Sequence, residues 1–331
     1  MNIAAIIPTY NRRQHVFRAI DSVLAQTMPV DEIIVVDDGS FDGTFEAIRA
    51  HYGARVVLIR QANSGVSSAR ARAMKEARYE WVAFLDSDDI WSPTKLERQQ
   101  EALAALGSEF GACVTNCGYM GDPRAVLTKF EVAGFKTRSE FGELTRPAQY
   151  VFGKKHLICI PSLLARRSLI NEVGGFDESL GLGEDTDLLF RLTFRTRFCY
   201  VSTALVTIDR TADLARLTNL HERKSDQTYA WLEASRKKML AHPELKDNDI
   251  RQSIQEELLA IYYGRAQQSL RSLRFRQAIK MITKIRDMGH GYQRIIWRLL
   301  LHASSRLTCM SRNEQARSTR SFGDETRAEN L

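Results

Sequence analysis

Carboxylates that directly follow short apolar segments are the residues of this 331-residue sequence best suited to chemistry. Residues 82–85 have the pattern of a buried strand, and Asp86, Asp88 and Asp89 follow at once. Because Asp86 and Asp88 are two residues apart, they point the same way from a strand edge. Paired hard oxygen ligands suit Mg²⁺ or Mn²⁺, which also neutralise diphosphates. The pattern predicts a divalent-metal site, with a helix cap and solvated loop charge as the alternative.

A second acidic group, Glu184, Asp185 and Asp187, opens a segment whose leucines have helical spacing. Acids at a helix N-terminus gain only a few tenths to about 1 kcal/mol from the helix dipole. Three acids in four residues exceed that need, since they repel one another. Burial or like-charge crowding raises a carboxyl pKa and suits the group to general base catalysis.

The elements that must position these acids alternate along the first ninety residues in the order strand, helix, strand. This alternation predicts a doubly wound, mostly parallel α/β sheet. Open sheets of this kind bind ligands at the carboxyl ends of their strands. After the first strand, where a dehydrogenase would carry Gly-x-Gly-x-x-Gly, the chain has Pro8-Thr9-Tyr10-Asn11-Arg12. Pro8 is expected to end that strand, since it cannot donate to a ladder. The predicted strands span 3–7, 33–36, 55–59, 82–85 and 111–119.

Charge is distributed unevenly along the chain. Residues 1–264 carry 33 basic against 35 acidic side chains, whereas residues 265–306 carry 10 against 1, a net of +9. This local basicity argues against a nucleic-acid-binding catalytic domain and indicates a basic appendage. Five widely spaced cysteines indicate reduced thiols, and no apolar segment is long enough to span a membrane. We expect a cytoplasmic protein.

The C-terminal third has only helical periodicity. We predict a helical region over 211–310 and a polar, disordered tail over 311–331. Residues 121–142 are expected to be irregular. The last predicted helix has an apolar stripe bordered by arginines, which favours peripheral binding to an anionic membrane surface. The predicted C-terminal helices span 222–240, 251–270, 275–288 and 292–308.

Four motifs, in this order and spacing, resemble the signature of glycosyltransferase family 2 over about residues 1–210. The resemblance implies a GT-A fold and inverting transfer of a sugar from a UDP-, dTDP- or GDP-linked donor to a glycan or lipid-linked acceptor. It also implies a Mn²⁺ or Mg²⁺ cofactor and a role in cell-surface polysaccharide biosynthesis. The motifs are Pro8-Thr9-Tyr10-Asn11-Arg12, Asp37-Asp38-Gly39-Ser40, Asn63-Ser64-Gly65-Val66-Ser67-Ser68-Ala69-Arg70 and Asp86-Ser87-Asp88-Asp89.

The resemblance also implies roles for single residues. Tyr10 stacks on the nucleobase, Asp38 accepts a hydrogen bond from it, and Arg70 reaches the nucleotide or its phosphates. Asp88 is the main metal ligand and Asp185 the catalytic base. The other residues implied are Asp86 at the ribose or metal, Glu184 beside the base, and Pro8, Thr9, Arg12, Gly65 and Ser87 around the nucleotide.

The sequence departs from the family pattern at two places, and two alternative functions remain open. The third motif ends in Ala71 where the family often has Asn, and the last strand is followed by Asp209 and Arg210 without a histidine. A nucleotidyltransferase would need a Gly-rich basic loop after the first strand, which this chain lacks. A non-catalytic scaffold of the same fold would be expected to lack one of the acids.

Overall fold

The computed structural model describes residues 1–121, 127–211 and 225–289. Its first part repeats a strand and a helix three times and ends on a fourth strand, as the sequence predicts. The elements are β1 (Ile3–Thr9), α1 (Val16–Leu24), β2 (Glu32–Asp37), α2 (Thr44–Tyr52), β3 (Val57–Arg60), α3 (Val66–Glu76) and β4 (Trp81–Phe84).

The second part adds antiparallel strands and shorter helices. Its elements are β5 (Ile90–Trp91), α4 (Lys95–Leu106), β6 (Phe110–Met120), α5 (Lys129–Val132), β7 (Phe141–Glu143), β8 (Leu163–Arg166), α6 (Arg167–Glu172), α7 (Glu184–Leu192) and β9 (Arg197–Asp209).

The strands form one mixed nine-stranded sheet in the order β3-β2-β1-β4-β8-β6-β9-β5, with β7 also paired to β9. Strands β1 to β4 are mutually parallel, and so are β6 and β9. Strand β8 lies antiparallel between β4 and β6. The carboxyl ends of the parallel strands therefore share one edge of the sheet.

The core lies on both faces of this sheet. Because side chains alternate along a strand, β1 contributes Ala4 and Ile6 to one apolar cluster and Ile3, Ala5 and Ile7 to the other. Both clusters consist of buried residues, which explains why the sequence of β1 is continuously apolar.

Two local predictions were wrong. Strand β1 continues past Pro8, which pairs with Val36. Pairing of β1 with β4 ends at Ile6, so the missing N–H of Pro8 faces a side without a ladder. The segment expected to be irregular holds α5 and β7. Helix α5 starts with a capping box, in which the Thr128 side chain accepts the backbone N–H of Glu131 and the Glu131 side chain accepts the backbone N–H of Thr128.

The C-terminal helices agree with the periodicity, and they span Asp226–Leu240, Asn248–Arg271 and Phe275–Asp287. The predicted helix 292–308 and tail 311–331 lie outside the described residues. Contacts divide the chain into two compact units, one within 1–223 and 230–257 and one within 224–229 and 258–331. The predicted boundary at residue 210 stays a prediction. In the parts of the chain that the structure describes, each helix is too short or too polar to cross a membrane.

Candidate active site

Asp38, at the end of β2, holds the loop that precedes α3. Its Oδ1 accepts hydrogen bonds from Gln61 Nε2 at 2.8 Å and from the Ser64 N–H at 2.9 Å, and its Oδ2 accepts from the Gly65 N–H at 2.8 Å. Asp38 is buried. Two of the predicted nucleotide residues, Asp38 and Gly65, are thus in direct contact, and the bond from Asp38 to a nucleobase stays a prediction.

Asp37 is the residue of this pair that makes a local turn. Its Oδ1 accepts from the backbone N–H groups of Gly39 at 3.0 Å and Ser40 at 2.8 Å. Its Oδ2 and the Oγ1 of Thr9 are buried and have no hydrogen-bond partner among the described residues. Thr9 and Asp37 are register neighbours in β1 and β2. Because buried polar atoms usually have partners, these two are candidates for contact with a ligand. Sequence reasoning missed this role for Asp37.

Tyr10 provides an aromatic surface beside these strand ends. Its side chain is partly exposed and lies edge-to-face with Phe41, with ring centroids 6.2 Å apart. Phe41 is 82% exposed, whereas most phenylalanine side chains in folded proteins are buried. The pair fits the predicted stacking on a nucleobase, whereas Pro8 is buried in β1.

The acidic loop after β4 is tied to the end of β1. Arg12 Nη2 lies 3.7 Å from Asp88 Oδ2, and Ser87 is buried between the acids. Asp89 is also buried, and its Oδ1 accepts the backbone N–H of Asp209 at 3.1 Å. The acidic loop therefore contacts the end of β9 as well, a link that the sequence did not reveal.

Asp209 joins this group although the family pattern left its role in doubt. Arg18 Nη2 donates to Asp209 Oδ2 at 2.7 Å, and the Thr211 N–H donates to Asp209 Oδ1 at 2.8 Å. Burial opposes the ionised form, but the bonds from Thr211 and Arg18 outweigh it and hold the pKa of Asp209 below its usual value. Asp209 is therefore a buried carboxylate beside the acidic loop.

The acidic loop fits a divalent cation that is shared with a substrate. Among residues 1–121, 127–211 and 225–289, no three His, Cys, Asp or Glu side chains converge as a complete metal site. Burial, followed by the charges of Asp86 and Asp88, raises the pKa of Asp89 well above its usual value. This surplus of negative charge is what a cation would relieve. Mg²⁺ is commonly held by one or two carboxylates with phosphate oxygens and water, and Asp86 and Asp88 provide such a pair.

Arg70 connects the acidic loop to helix α7. Its Nη2 donates to Asp86 Oδ1 at 2.6 Å and its Nη1 to Glu184 Oε1 at 2.5 Å. The guanidinium is buried and packs over the ring of Phe176. Burial opposes its charge, but Asp86, Glu184 and Asp185 together raise its pKa above the usual value. Arg70 thus stabilises the two acidic groups that the sequence predicts at separate places.

The three acids that begin α7 have different partners. Asp187 is buried in ion pairs with Arg191 at 2.6 Å and Lys238 at 3.1 Å, so its role is structural. Glu184 is buried against Arg70. Gly183 precedes them with φ +80°, a left-handed conformation that favours glycine and turns the chain into α7.

Asp185 is the acid of α7 that has no ion pair among the described residues. It is half-buried, and its Oδ1 accepts from the Thr186 N–H at 2.6 Å and from the Thr186 hydroxyl at 3.2 Å. Burial, followed by the charge of Asp185, raises the pKa of Glu184 to about 7, with Arg70 opposing the rise. A partly exposed carboxylate beside a buried, cation-bound one can accept a proton from a bound substrate.

Comparison with known proteins agrees with this geometry. The family described as "Glycosyl transferase family 2" matches residues 4–174. The succinoglycan biosynthesis protein ExoO of Rhizobium meliloti is 34% identical over 194 residues, which cover 57% of this chain and 54% of that protein. An uncharacterised glycosyltransferase of Rickettsia typhi is 33% identical over 191 residues, 57% of this chain and 58% of the relative. The chain thus spans less than two thirds of the length of these relatives.

Solved structures share the fold at lower identity. Residues 1–349 of S. aureus TarS, in complex with UDP-GlcNAc, superpose with a TM-score of 0.63 at 20% identity, covering 87% of this chain and 80% of that one. This match confirms the predicted GT-A-type sheet with helices. Because the family match covers more than half of the sequence, the chain belongs to glycosyltransferase family 2.

Proposed function

We propose that this protein is an inverting glycosyltransferase. It moves a sugar from a nucleoside-diphosphate donor to a hydroxyl of a glycan or lipid-linked acceptor, in the biosynthesis of a cell-surface polysaccharide. ExoO is described as a succinoglycan biosynthesis protein, and the TarS structure contains UDP-GlcNAc. Both relationships support the same class of donor and product for this chain.

The observation that carries this proposal is the Arg70 bridge. A transferase must hold the leaving diphosphate on one side of the anomeric carbon and, on the other, the base that activates the acceptor hydroxyl, with the acceptor oxygen about 3–3.5 Å from that carbon. In this chain the buried guanidinium of Arg70 joins the acidic loop to the start of α7. It bonds Asp86 at 2.6 Å and Glu184 at 2.5 Å. The two predicted halves of the site are therefore neighbours.

The mechanism assigns the proton transfer to Asp185. Its carboxylate takes the proton from the acceptor hydroxyl as that oxygen attacks the anomeric carbon on the face opposite the diphosphate. One displacement inverts the configuration and needs no covalent intermediate. Glu184 is less suited to this step, because it is buried and one of its oxygens is held by Arg70.

Donor binding involves the ends of β1, β2 and β4. Tyr10 stacks on the base, while Thr9 and the Asp37–Asp38 pair offer polar atoms to it. Asp88 and Asp86 would hold Mn²⁺ or Mg²⁺, which would stabilise the charge of the departing diphosphate. A related fold, that of a Pyrobaculum calidifontis mannosyltransferase, was solved with GDP-Man and Mn²⁺, at 16% identity and a TM-score of 0.55 over 97% of this chain and 82% of that one.

The cellular site that we propose is the cytoplasmic face of an anionic membrane. The described part of the basic C-terminal region exposes three large apolar side chains, Leu273, Phe275 and Ile279. Apolar side chains next to lysines and arginines bind best where anionic head groups meet the acyl region.

The experiment that tests the proposed function starts with the donor. Melting temperatures are measured with UDP-, dTDP- and GDP-linked sugars, each with and without Mn²⁺, because a ligand that binds the folded state stabilises it. One nucleotide class should raise the melting temperature in a metal-dependent way, and the enzyme should release nucleoside diphosphate from it. A chain that binds none of the sugar nucleotides would contradict the proposal, and products that include pyrophosphate would indicate a nucleotidyltransferase.

A further inference from the structure

Helix α8 (Asp226–Leu240) contacts the loop that leads into the acids of α7. This loop, residues 173–183, is named the base loop here because the predicted base, Asp185, comes shortly after it. The family match ends at residue 174, inside the base loop. Residues of α8 from Ala230 onward nevertheless belong to the same compact unit as the sheet. The sequence that supports the base loop therefore extends beyond the family match.

Lys238 on α8 joins the base loop to α7. Its Nζ donates to Asp177 Oδ2 at 2.8 Å and to Asp187 Oδ2 at 3.1 Å. Asp177 lies in the base loop, and Asp187 is the buried acid two residues after Asp185. Burial opposes the charge of Asp177, but hydrogen bonds from Lys238 and Ser179 outweigh it and lower its pKa to about 2. Asp177 therefore keeps its negative charge for Lys238 at neutral pH.

Arg191 strengthens the same connection from within α7. It bonds Asp187 Oδ2 through Nε at 2.9 Å and through Nη2 at 2.6 Å. Its guanidinium also donates to the backbone carbonyls of Val173 and Gly175, at the start of the base loop. Asp187 thus accepts hydrogen bonds from both Arg191 and Lys238, and through them the first turn of α7 is tied to the base loop and to α8.

The end of the base loop also packs against α8. Ser235 Oγ donates to the carbonyl of Gly183 at 3.3 Å, and Gly183 is the residue that turns the chain into α7. A β-carbon at Gly181 would lie 2.5 Å from the ring of Trp231, so the ring rests directly on the glycine backbone. Both ends of the base loop are therefore held, one through Arg191 and the other by side chains of α8.

We propose that Lys238 is a positioning residue for Asp185, and that the catalytic unit therefore extends through α8. This proposal rests on the proposed transferase function. Asp185 and Asp187 share the first turn of α7, so a shift of that turn moves both carboxylates together. A displacement of about 1 Å can lower a catalytic rate about 10²-fold. The donor residues lie at the ends of β1, β2 and β4, so donor binding should not depend on Lys238.

The test measures the anchoring of the base loop and its effect on catalysis in the same full-length proteins. Hydrogen exchange of residues 173–187 is followed by mass spectrometry. The kcat and KM for nucleoside diphosphate release are measured with Mn²⁺ and whichever UDP-, dTDP- or GDP-linked sugar binds best. The variants are Lys238→Met and Lys238→Arg. The matched control is Lys237→Met, the preceding residue of α8, which pairs with Glu233.

In Lys238→Met we expect residues 173–187 to exchange about tenfold faster, because the loop loses a bond to α8. The kcat should fall about tenfold or more, while KM for the donor stays within about twofold. Lys238→Arg should recover most of both losses, since a guanidinium can also bond two carboxylates. Lys237→Met should match the wild type. Lys238 is 43% exposed, so its variants should fold, and their melting temperatures check this.

Several outcomes would overturn the proposal in an active wild type. Unchanged hydrogen exchange in Lys238→Met would show that Lys238 does not anchor the base loop, and faster exchange with an unchanged kcat would show that the anchor does not position the base. A rise in donor KM that matches the loss of kcat would assign Lys238 to donor binding. Equal losses in Lys238→Met and Lys238→Arg, with lower melting temperatures, would leave Lys238 a role in folding only.

Failure of the proposed function has a different signature. A wild-type chain that releases nucleoside diphosphate from none of the sugar nucleotides would contradict the transferase assignment, and the role of Lys238 in positioning a base would fall with it. Hydrogen exchange would still decide whether Lys238 anchors the base loop, because that measurement needs no substrate.

Discussion

Arg70 and Glu184, 114 positions apart in the chain, are joined by a buried hydrogen bond of 2.5 Å. The second guanidinium nitrogen of Arg70 reaches Asp86 at 2.6 Å. One side chain from α3 therefore fixes the distance between the loop that follows β4 and the helix that carries the predicted base. This arrangement gives Arg70 a positioning role that a surface arginine would not have.

Substitution Arg70→Lys should reduce turnover strongly. A single ammonium cannot bond both carboxylates with the planar fork of a guanidinium, so Glu184 loses its partner in a buried site. We expect kcat to fall by about 10²-fold or more, with a smaller change in donor affinity. Because Arg70 opposes the raised pKa of Glu184, the pH profile of kcat should also shift.

The matched control is Arg72→Lys on the exposed side of the same helix, where Arg72 forms an ion pair with Glu76. It should behave like the wild type. Equal kcat and an unshifted pH profile for Arg70→Lys would show that the bridge has no catalytic importance.

Substitution Asp88→Asn should abolish metal-dependent donor binding. The change keeps the shape of the side chain and removes the charge that would attract a divalent cation. Titration calorimetry with nucleoside diphosphate should show strong enhancement by Mn²⁺ in the wild type and none in the variant. Glu80→Gln is the control, because Glu80 lies at the opposite end of β4 from the acidic loop and pairs with Arg166. Unchanged affinity in Asp88→Asn would require a different metal site.

Lys95 predicts an unusual dependence of stability on pH. It is fully buried beneath Trp91, its Nζ donates to Gln99 Oε1 at 2.9 Å, and burial lowers its pKa to about 7. The unfolded chain keeps this proton up to about pH 10.4, so between about pH 7 and 10 it binds more protons than the folded chain. The free energy of unfolding should therefore rise with pH across this window, by up to about 4 kcal/mol.

Urea unfolding of wild type and Lys95→Met at pH 7, 8 and 9 measures this effect. Buried thiols titrate in the same window: burial raises the pKa of Cys113, which has the opposite effect, whereas a hydrogen bond with Cys117 lowers the pKa of Cys159 to about 6, which has the same effect. The measured quantity is therefore the difference in unfolding free energy between the two proteins, which have these thiols in common. At pH 7 the free energy of unfolding of Lys95→Met should exceed that of the wild type. This difference should shrink as the pH rises. Lys75→Met, at an exposed position, is the control. Parallel pH dependences would show that Lys95 is protonated equally in both states.

Binding to anionic vesicles should depend on salt and on the basic C-terminal region. The full chain is sedimented with anionic and with neutral liposomes at low and at high salt, and Lys280→Glu, at an exposed position on the Phe275–Asp287 helix, reverses one charge. We expect preferential binding to anionic vesicles that weakens with salt and with this substitution. Equal sedimentation with both vesicle types would contradict electrostatic anchoring.

Local pattern was sufficient to predict the four N-terminal strands, the start of α7 and the acids at the strand ends, since apolar periodicity and chain order determine them. Neither apolar periodicity nor chain order predicts contacts between segments that are far apart in the sequence. The bonds of Arg70 to Glu184 and of Asp89 to Asp209 depend on how the sheet brings β4, β9 and α7 together. Helix α5 could have been found, because Thr128 and Glu131 have the spacing of a capping box.

The most direct test of the account is the rate of nucleoside diphosphate release by Asp185→Asn. The substitution keeps the size of the side chain and removes its basicity. With the sugar nucleotide identified by melting temperature, we expect unchanged donor affinity and a loss of turnover of about 10²–10⁴-fold. The exposed acid Glu178, changed to Gln, should leave both quantities unaffected. Turnover by Asp185→Asn at a rate close to that of the wild type would contradict the account, because another acid of α7 would then be the base.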